Sequence, residues 1–423
     1  MGAYISVWVV PNSITDYRVR VGWQASYPAL RLDVAELGVL DSAALGPAAA
    51  QYTYTDITAN VTGIDIRRGR SRTTDRMTAG TCSVTVYDPQ RTLDPENTAG
   101  PNYGNLKPGR PIIVDVKPPS SAWITVYAGW TTGIGWQQIP NGYQVAQIDC
   151  ADNLSTLALA ALDTDLAVSA EYTGQRFTNI LNAVAYPGTS TASTGSANVV
   201  AGTVAKGTSA LDYLTSLAGY EWGHFFDSRA GVLTWRGRTD SLNPVATPMF
   251  TPDSTGTQYS SVSAVTGTEV YNVISVTDET DAEQIATDTA STVYYGTSAL
   301  AITGGLQTSN DSAVTALFVL DQYKSPATSV REIVVDVDST MQHAKQEAMF
   351  SLDLGDAVRV DRHFATGAPS TLTEYYSVEG IAHTITRTGH QATFTFGAKT
   401  TGGYLTLDSA ALGQLDTNLL APG

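Results

Sequence analysis

The chain is poor in cysteine, in basic residues and in charge altogether. Two cysteines among 423 residues, Cys82 and Cys150, are no disulfide scaffold, which points to folding in a reducing compartment. Whether the two pair is left open by the sequence. Charged residues make up only 15%, against the usual quarter, so neither a coiled coil nor a disordered chain is expected. The N-terminus MGAYISVWVV lacks a basic region and has only a short apolar run, so neither a signal peptide nor a membrane span is read there. Histidine is scarce too. His224, His343, His363, His383 and His390 form no HExxH or related metal pattern. GTSAL, at 207–211 and 296–300, lacks the last glycine of a nucleophile elbow, and no phosphate-cradling GxxxxGK[ST] occurs. No enzyme, metal or cofactor is therefore expected.

Lysine and arginine number 24 against 40 carboxylates, a net charge of −16, which argues against a protein that grips nucleic acid through its phosphates. The imbalance is local. Thr239 to Tyr323 holds ten carboxylates and no base, and Pro118 to Gln175 holds five and no base. The rest of the chain is nearly neutral, so the two blocks are either solvated faces or a field that steers or repels something charged.

What is abundant is Gly, Ser, Thr and Tyr in period-two runs. YTDITANVTGIDIRRG, AGTCSVTVYD, RPIIVDVK, AWITVYAGWTTGI and YQVAQIDCAD read as five strands of a small barrel or sandwich. Helical stretches follow, NLSTLALAALDTDLAV and QRFTNILNAVAYP. KGTSALDYLTSLAGYEWGHFFDSRAGVLTWRGR reads as a helix capped by Ser209 and Gly219, then a hairpin. Beyond residue 265, TEVYNVISVT, SVREIVVDVD, DAVRVDRH, EYYSVEGIAHTITRT and HQATFTFGA are strands again, with a helix after Asn310, and the last four close a second barrel. The expected fold is mostly β (α+β): an N-terminal strand and arm at 1–50, a first barrel-like domain at 51–150, an α+β insert at 151–264, a second barrel-like domain at 265–400 and a tail at 401–423. LDSAALG occurs identically at 40–46 and 407–413. Leu40, Leu45, Leu407, Leu412, Leu415 and Leu419 are candidates for two equivalent docking segments.

The stretch Ile64 to Val114, with Arg-Arg-Gly-Arg, an Ala-Gly-Thr strand start and Leu-Lys-Pro-Gly-Arg-Pro in that order, resembles the minor tail proteins of siphophages infecting Actinobacteria. KGTSALDYL...GHFFDSRAGVLTWRGR, TEVYNVISVT and SVEGIAHTIT are similar to later parts of the same proteins, from about residue 50 to 420. The resemblance implies a structural tail-tip hub, similar in plan to the hub of contractile tails. It implies a homotrimer whose two barrel-like domains per subunit form a pseudo-sixfold ring around a DNA exit channel. The partners it implies are the tail tube, distal tail and tape measure proteins and other minor tail or receptor-binding proteins, in the virion tail tip, with DNA in transit and no membrane insertion.

Three further features carry open readings. Arg67, Arg68, Arg70, Arg72 and Arg76 pack five guanidiniums into ten positions, suited to bidentate carboxylate pairing across a subunit interface; a solvated turn and a phosphate contact are the alternatives. Asp278, Glu279, Asp281 and Glu283 in TDETDAEQ form a turn in an acidic face and are candidates for an acidic channel wall. A calcium loop lacks its glycine and twelfth-position Glu there. Trp123, Trp130 and Trp136 with Tyr127 and Tyr143 crowd one uncharged window, which serves a core, an interface or a sugar-stacking platform. The competing function is accordingly a carbohydrate-binding or cell-wall-degrading tip protein.

Overall fold

A computed structural model describes residues 16–26, 51–119, 121–140, 142–240, 249–266, 269–304, 308–326, 328–337 and 343–400. The leucines of both LDSAALG copies lie outside these residues.

The chain is mostly β, organised by one sheet of fourteen strands. In chain order these are β1 (Asp16–Ser26), β2 (Gln51–Asp56), β3 (Val61–Gly69), β4 (Thr78–Asp88), β5 (Pro111–Lys117), β6 (Ile124–Gln138), β7 (Gln144–Ala151), β8 (Met249–Thr251), β9 (Thr257–Gln258), β10 (Ser261–Thr266), β11 (Thr328–Val337), β12 (Ala357–His363), β13 (Thr371–Thr386) and β14 (Gly389–Thr400). Strands β1 to β7 make a first half in the order β2-β1-β5-β6-β7-β4-β3. Strands β8 to β14 make a second. Among the described residues neither half closes its hydrogen bonding on itself: β3 pairs antiparallel with β13, Ile64 opposite Ile385 and Gly69 opposite Gly380, and fuses the two.

Period-two patterning decides which face is buried. Ile64, Ile66, Cys82, Val84, Val86, Ala146, Ile148 and Cys150 in the first half, and Val330, Ile333, Val335, Ile381, Ile385, Ala392, Phe394 and Phe396 in the second, turn inward to one core. The residues between them face out.

The two halves repeat each other strand for strand. In the first, β3 pairs β4, β4 pairs β7, β7 pairs β6 and β6 pairs β5. In the second, β10 pairs β11, β11 pairs β14, β14 pairs β13 and β13 pairs β12, every pair antiparallel as in the first. Local chemistry repeats as well. Leu106-Lys107-Pro108-Gly109 before β5 and Leu352-Asp353-Leu354-Gly355 before β12 each bury the leading leucine and end in glycine at φ +77 and +76. That left-handed conformation favours glycine. Gly109 N donates to Thr131 O at 2.7 Å and Thr131 N to Arg110 O at 2.8 Å; Gly355 N donates to Val378 O at 2.8 Å and Val378 N to Asp356 O at 2.9 Å. Thr131 in β6 and Val378 in β13 thus hold the same place.

Two smaller units are inserted. Residues 153–236 contain α1 (Asn153–Leu157), α2 (Thr173–Ala183), α3 (Ala210–Glu221) and the hairpin of strands His224–Asp227 and Leu233–Arg236, around a core of Phe177, Leu214, Leu217, Phe225 and Trp235. Between β10 and β11, a three-stranded sheet with α4 (Thr289–Tyr295) and α5 (Ser309–Tyr323) surrounds Ile274, Val276 and Val319. Helix α6 (His343–Ser351) precedes β12.

Local expectations meet the structure unevenly. The Ser209 hydroxyl accepts from Asp212 N and caps α3, but the helix runs past Gly219 to a left-handed Trp222 at φ 62. Its Leu214, Leu217 and Ala218 stripe is carried one turn further by buried Glu221. The helix expected over NLSTLALAALDTDLAV is five residues long; Leu162 N bonds Thr208 O instead of continuing it. Strands β8 to β10, which the sequence reading placed with the insert, hydrogen-bond into the large sheet.

Candidate functional surface

Eight strands of the large sheet, β6-β7-β4-β3-β13-β14-β11-β10, alternate in direction across both halves and present one outward face. Reading outward positions gives Gln147 and Asp149 on β7, Thr81, Ser83 and Thr85 on β4, and Asp65 and Arg67 on β3. It continues with Thr384 and Thr386 on β13, Gln391, Thr393 and Thr395 on β14, and Glu332 and Asp336 on β11, all exposed or half-buried. Four carboxylates and one guanidinium stand among hydroxyls and amides. The carboxylates are held by neutral donors: Asp149 Oδ1 accepts from Ser83 Oγ at 3.2 Å and Gln147 Nε2 at 2.8 Å, Asp65 from Thr384 Oγ1 at 3.1 Å, and Asp336 from Gln391 Nε2 at 2.8 Å. None of these bonds brings a cation to the carboxylates. Arg76 and Asp75 line the same groove as Arg67, Thr384, Gln391 and Glu332 on this face.

The arginine run splits by strand alternation and by the bulge at Gly69. Arg68 turns inward: its Nη2 donates to Asp227 O at 2.8 Å and Asp353 Oδ1 at 2.5 Å, joining the first half, the insert and the second half at one buried point. Arg70 Nε donates to Glu379 Oε2 at 2.7 Å, and the same carboxylate lies 3.0 Å from His224 Nε2 through Oε1. Glu379 is wholly buried, yet the charges of Arg70 and His224 with the Ser377 hydroxyl hold its carboxyl well below the usual range against the opposing desolvation. Arg72 stands 3.7 Å from Glu269. Arg67 and Arg76 are exposed and carry no ion pair among the described residues. The structure thus spends Arg68 and Arg70 inside the chain.

The same meeting point holds carboxylates that the sequence reading missed. Asp152 accepts from Gly80 N at 2.6 Å and Leu154 N at 3.0 Å, and Asp227 accepts from Asn153 N at 2.9 Å. Desolvation, together with their mutual repulsion, pushes Asp152 up to about 7; desolvation first pushes Asp227 up to about 6. Only Asp152 has a hint in the sequence, the Asp-Asn step after strand β7, which reads as a helix cap.

Asp278 is 1% exposed. It accepts from Thr280 N and Oγ1, Gln284 Nε2 and Ser309 Oγ, which hold its carboxyl far below the usual range. It braces its own turn, while Glu279, Asp281 and Glu283 are exposed in the unit between β10 and β11. The TDETDAEQ run and the outward face of the large sheet are thus separate acidic features.

The aromatic window does not form one platform. Tyr127 is buried, Trp130 Nε1 donates to Asn153 Oδ1 at 2.8 Å, and Trp123 lies under Arg18 at 4.3 Å. Trp136 shares the side of Ala146, whereas Tyr143 meets Tyr87 edge-on at 6.0 Å on the outward face.

Among the described residues no three His, Cys, Asp or Glu side chains are placed to hold a metal, and no helix is long and apolar enough to cross a membrane. His383 Nδ1 and His390 Nε2 lie 3.2 Å apart beneath Phe350, and burial pushes His390 down to about 3. Cys82 and Cys150 are free, buried and directly opposed on β4 and β7.

No family model matches the sequence, and no curated protein matches it. Among solved structures, the chain is similar to the 43 kDa tail protein of prophage MuSo2 from Shewanella oneidensis, at 13% identity and TM-score 0.53, covering 81% of this chain and 93% of that one. It is also similar to the tail protein from Neisseria meningitidis MC58, at 11% identity and TM-score 0.54, covering 92% and 96%. At this identity the likeness is one of fold: the chain has the fold of these tail proteins.

Proposed function

We propose that the chain is a structural, non-enzymatic minor tail protein of a phage. In this reading it forms a trimeric hub at the tail tip, joining the tail tube to receptor-binding or other tip proteins around the DNA exit channel. The observation that carries this reading is the outward face: one continuous surface of hydroxyls, amides and four carboxylates across both halves. A wall of that chemistry lets a polyanion slide past, since over most of it a phosphate meets carboxylates, hydroxyls and amides, with guanidiniums confined to the groove around Arg67 and Arg76. The fold shared with two tail proteins supports the same reading. The carbohydrate alternative has less to stand on, because Trp136 and Tyr143 lie on opposite sides of their hairpin.

The test has two parts. Native mass spectrometry of the purified chain should give a trimer, and electron images should show a ring. In phage, the triple change Asp65→Lys, Asp149→Lys and Asp336→Lys should leave tails assembled but slow DNA ejection, more so at low salt. Ejection at the unaltered rate from such virions refutes the channel assignment.

A further inference from the structure

Helix α4 (Thr289–Tyr295) is built the wrong way round for a surface helix. Its attachment to the chain is polar. Asp288 Oδ1 caps it by accepting from Ser291 N at 2.8 Å, and the buried Asn272 ties down both ends. Asn272 Nδ2 donates to Ser291 Oγ at 3.2 Å and to Gly296 O at 2.7 Å, its Oδ1 accepts from Ser298 N at 2.8 Å, and its carbonyl accepts from Asp288 N at 3.0 Å. Ser291 is the one residue of α4 that is buried. Val293, Tyr294 and Tyr295, its three largest side chains, are 79%, 82% and 56% exposed. A helix that covers a core does the reverse, turning its apolar stripe inward and its hydroxyls to water.

The strand before α4 continues the display. In Glu283–Thr287, Ala286 turns to the core with Ile274, Val276 and Val319, so Ile285 faces the other way and is 59% exposed. Its neighbours across the sheet, Ser275 on the central strand and Ala301 on the far one, are too small to cover it. A single exposed isoleucine needs no explanation. Four large aliphatic and aromatic side chains held out by a well-bonded frame do.

The charge around them has one sign. Glu279, Asp281 and Glu283 are exposed and carry no ion pair among the described residues, and Glu283 shares a strand face with Ile285. Lys324, the first base after the acidic stretch, is held by Asp321 at 2.8 Å. Such a surface attracts cations and repels phosphate, so neither nucleic acid nor an anionic membrane suits it. A second copy of this chain suits it poorly, since that copy carries the same net charge of −16. Tyrosine faces and carboxylates both favour a guanidinium or an ammonium, and here they stand together.

We propose that α4 and the Glu283–Thr287 strand form a docking surface for another tail protein, one that meets it with an apolar centre and a rim of lysine or arginine. Tyrosine suits the centre of an interface, because it buries much area while freezing only two side-chain angles. The carboxylates act at the rim, where they speed encounter and fix orientation. This surface belongs to the unit inserted between β10 and β11, not to the outward face of the large sheet. The inference rests on the tail-tip reading above and names where, and by what chemistry, a neighbouring protein is held.

The test is made in phage. Val293→Ser, Tyr294→Ser and Tyr295→Ser together remove the apolar centre, and since none of the three is buried, the purified variant should keep the urea midpoint of the unaltered chain. Tails carrying it should retain this chain but lose one other tail protein, read by quantitative mass spectrometry of purified particles. Glu279→Lys, Asp281→Lys and Glu283→Lys together leave α4 intact and should deplete the same protein, most at low salt, where like charges are least screened. In unaltered tails that protein should hold lysines or arginines shielded from acetic anhydride or phenylglyoxal, which react once it is released. Unaltered composition and infectivity in both variants overturn the surface and leave the hub reading standing. Depletion by the serine set alone overturns the basic rim. A full set of tail proteins on particles that no longer adsorb to cells overturns the protein partner and makes the surface a receptor contact. If purified unaltered tails lack this chain, the hub reading falls and the proposal with it.

Discussion

Replacing Arg68 by Met removes the charge that joins three units while keeping most of the aliphatic bulk. The Arg68 side chain is 3% exposed, and it supplies the cation for Asp353 and a donor for the Asp227 carbonyl. Breaking a buried pair from one side costs about 3–5 kcal/mol, because the remaining charge is left uncompensated. Asp353 keeps two backbone donors, Arg229 N and Leu354 N, each at 2.9 Å, which places the loss at the low end, about 3 kcal/mol. Arg67, one residue earlier and exposed, is the internal control: Arg67→Met should stay within about 0.5 kcal/mol. Urea unfolding followed by tryptophan fluorescence reads both, since Trp23 in the first half and Trp235 in the insert are buried. Asp353→Asn added to Arg68→Met should cost less than the sum of the two single losses, as contacting partners do. Equal midpoints for the Arg67 and Arg68 variants, or strict additivity with Asp353→Asn, would refute the assignment of Arg68 as the joining residue.

Two further outcomes follow from the same geometry. Asp152 and Asp227 have folded pKa values raised to about 7 and about 6, above the ordinary carboxylate value of about 3.9. The native state thus binds more protons than the unfolded one between about pH 4 and 7, and their contribution to stability is lost as pH rises through that window. The urea midpoint should increase from pH 7.5 to pH 5.5, and Asp152→Asn, which keeps an acceptor for Leu154 N, should flatten the slope; an unchanged slope sinks the idea. Gly109→Ala meets no atom within 4 Å, so its cost is the backbone strain of φ +77 alone, about 1–2 kcal/mol. Gly355→Ala adds contact with Arg236 at 3.3–3.4 Å and should cost at least as much by the same unfolding assay, whereas a stabilising effect at either site would contradict the shared turn.

Much of the fold was legible because the signals are local. Alternation in GTCSVTVYD and HQATFTFGA names both the strand and its buried face, since a strand's side chains must alternate. Ser209 announced its helix through a side-chain cap, another contact within four residues. Arg68 and Arg70 were visible as residues suited to carboxylates. Their partners were not, because Asp353 and Glu379 lie 285 and 309 residues away and no spacing rule spans that distance. The duplication was hidden for a related reason. Its two copies share a leucine and a glycine at the turn before β5 and β12 but little else, and the repeated quantity is a hydrogen-bonding order.

The sequence by itself determined a β-rich chain, its core positions, the lack of a catalytic or metal pattern, and a surplus of acid over base. These depend on residue type and on neighbours a few positions away. Only the tertiary structure decided that two halves share one sheet through β3 and β13, that Asp278 is a buried turn brace, and that Asp65, Asp149, Glu332 and Asp336 share a face. Strand pairing joins segments hundreds of residues apart, and the energy that selects one register over another comes from burying a whole face at once.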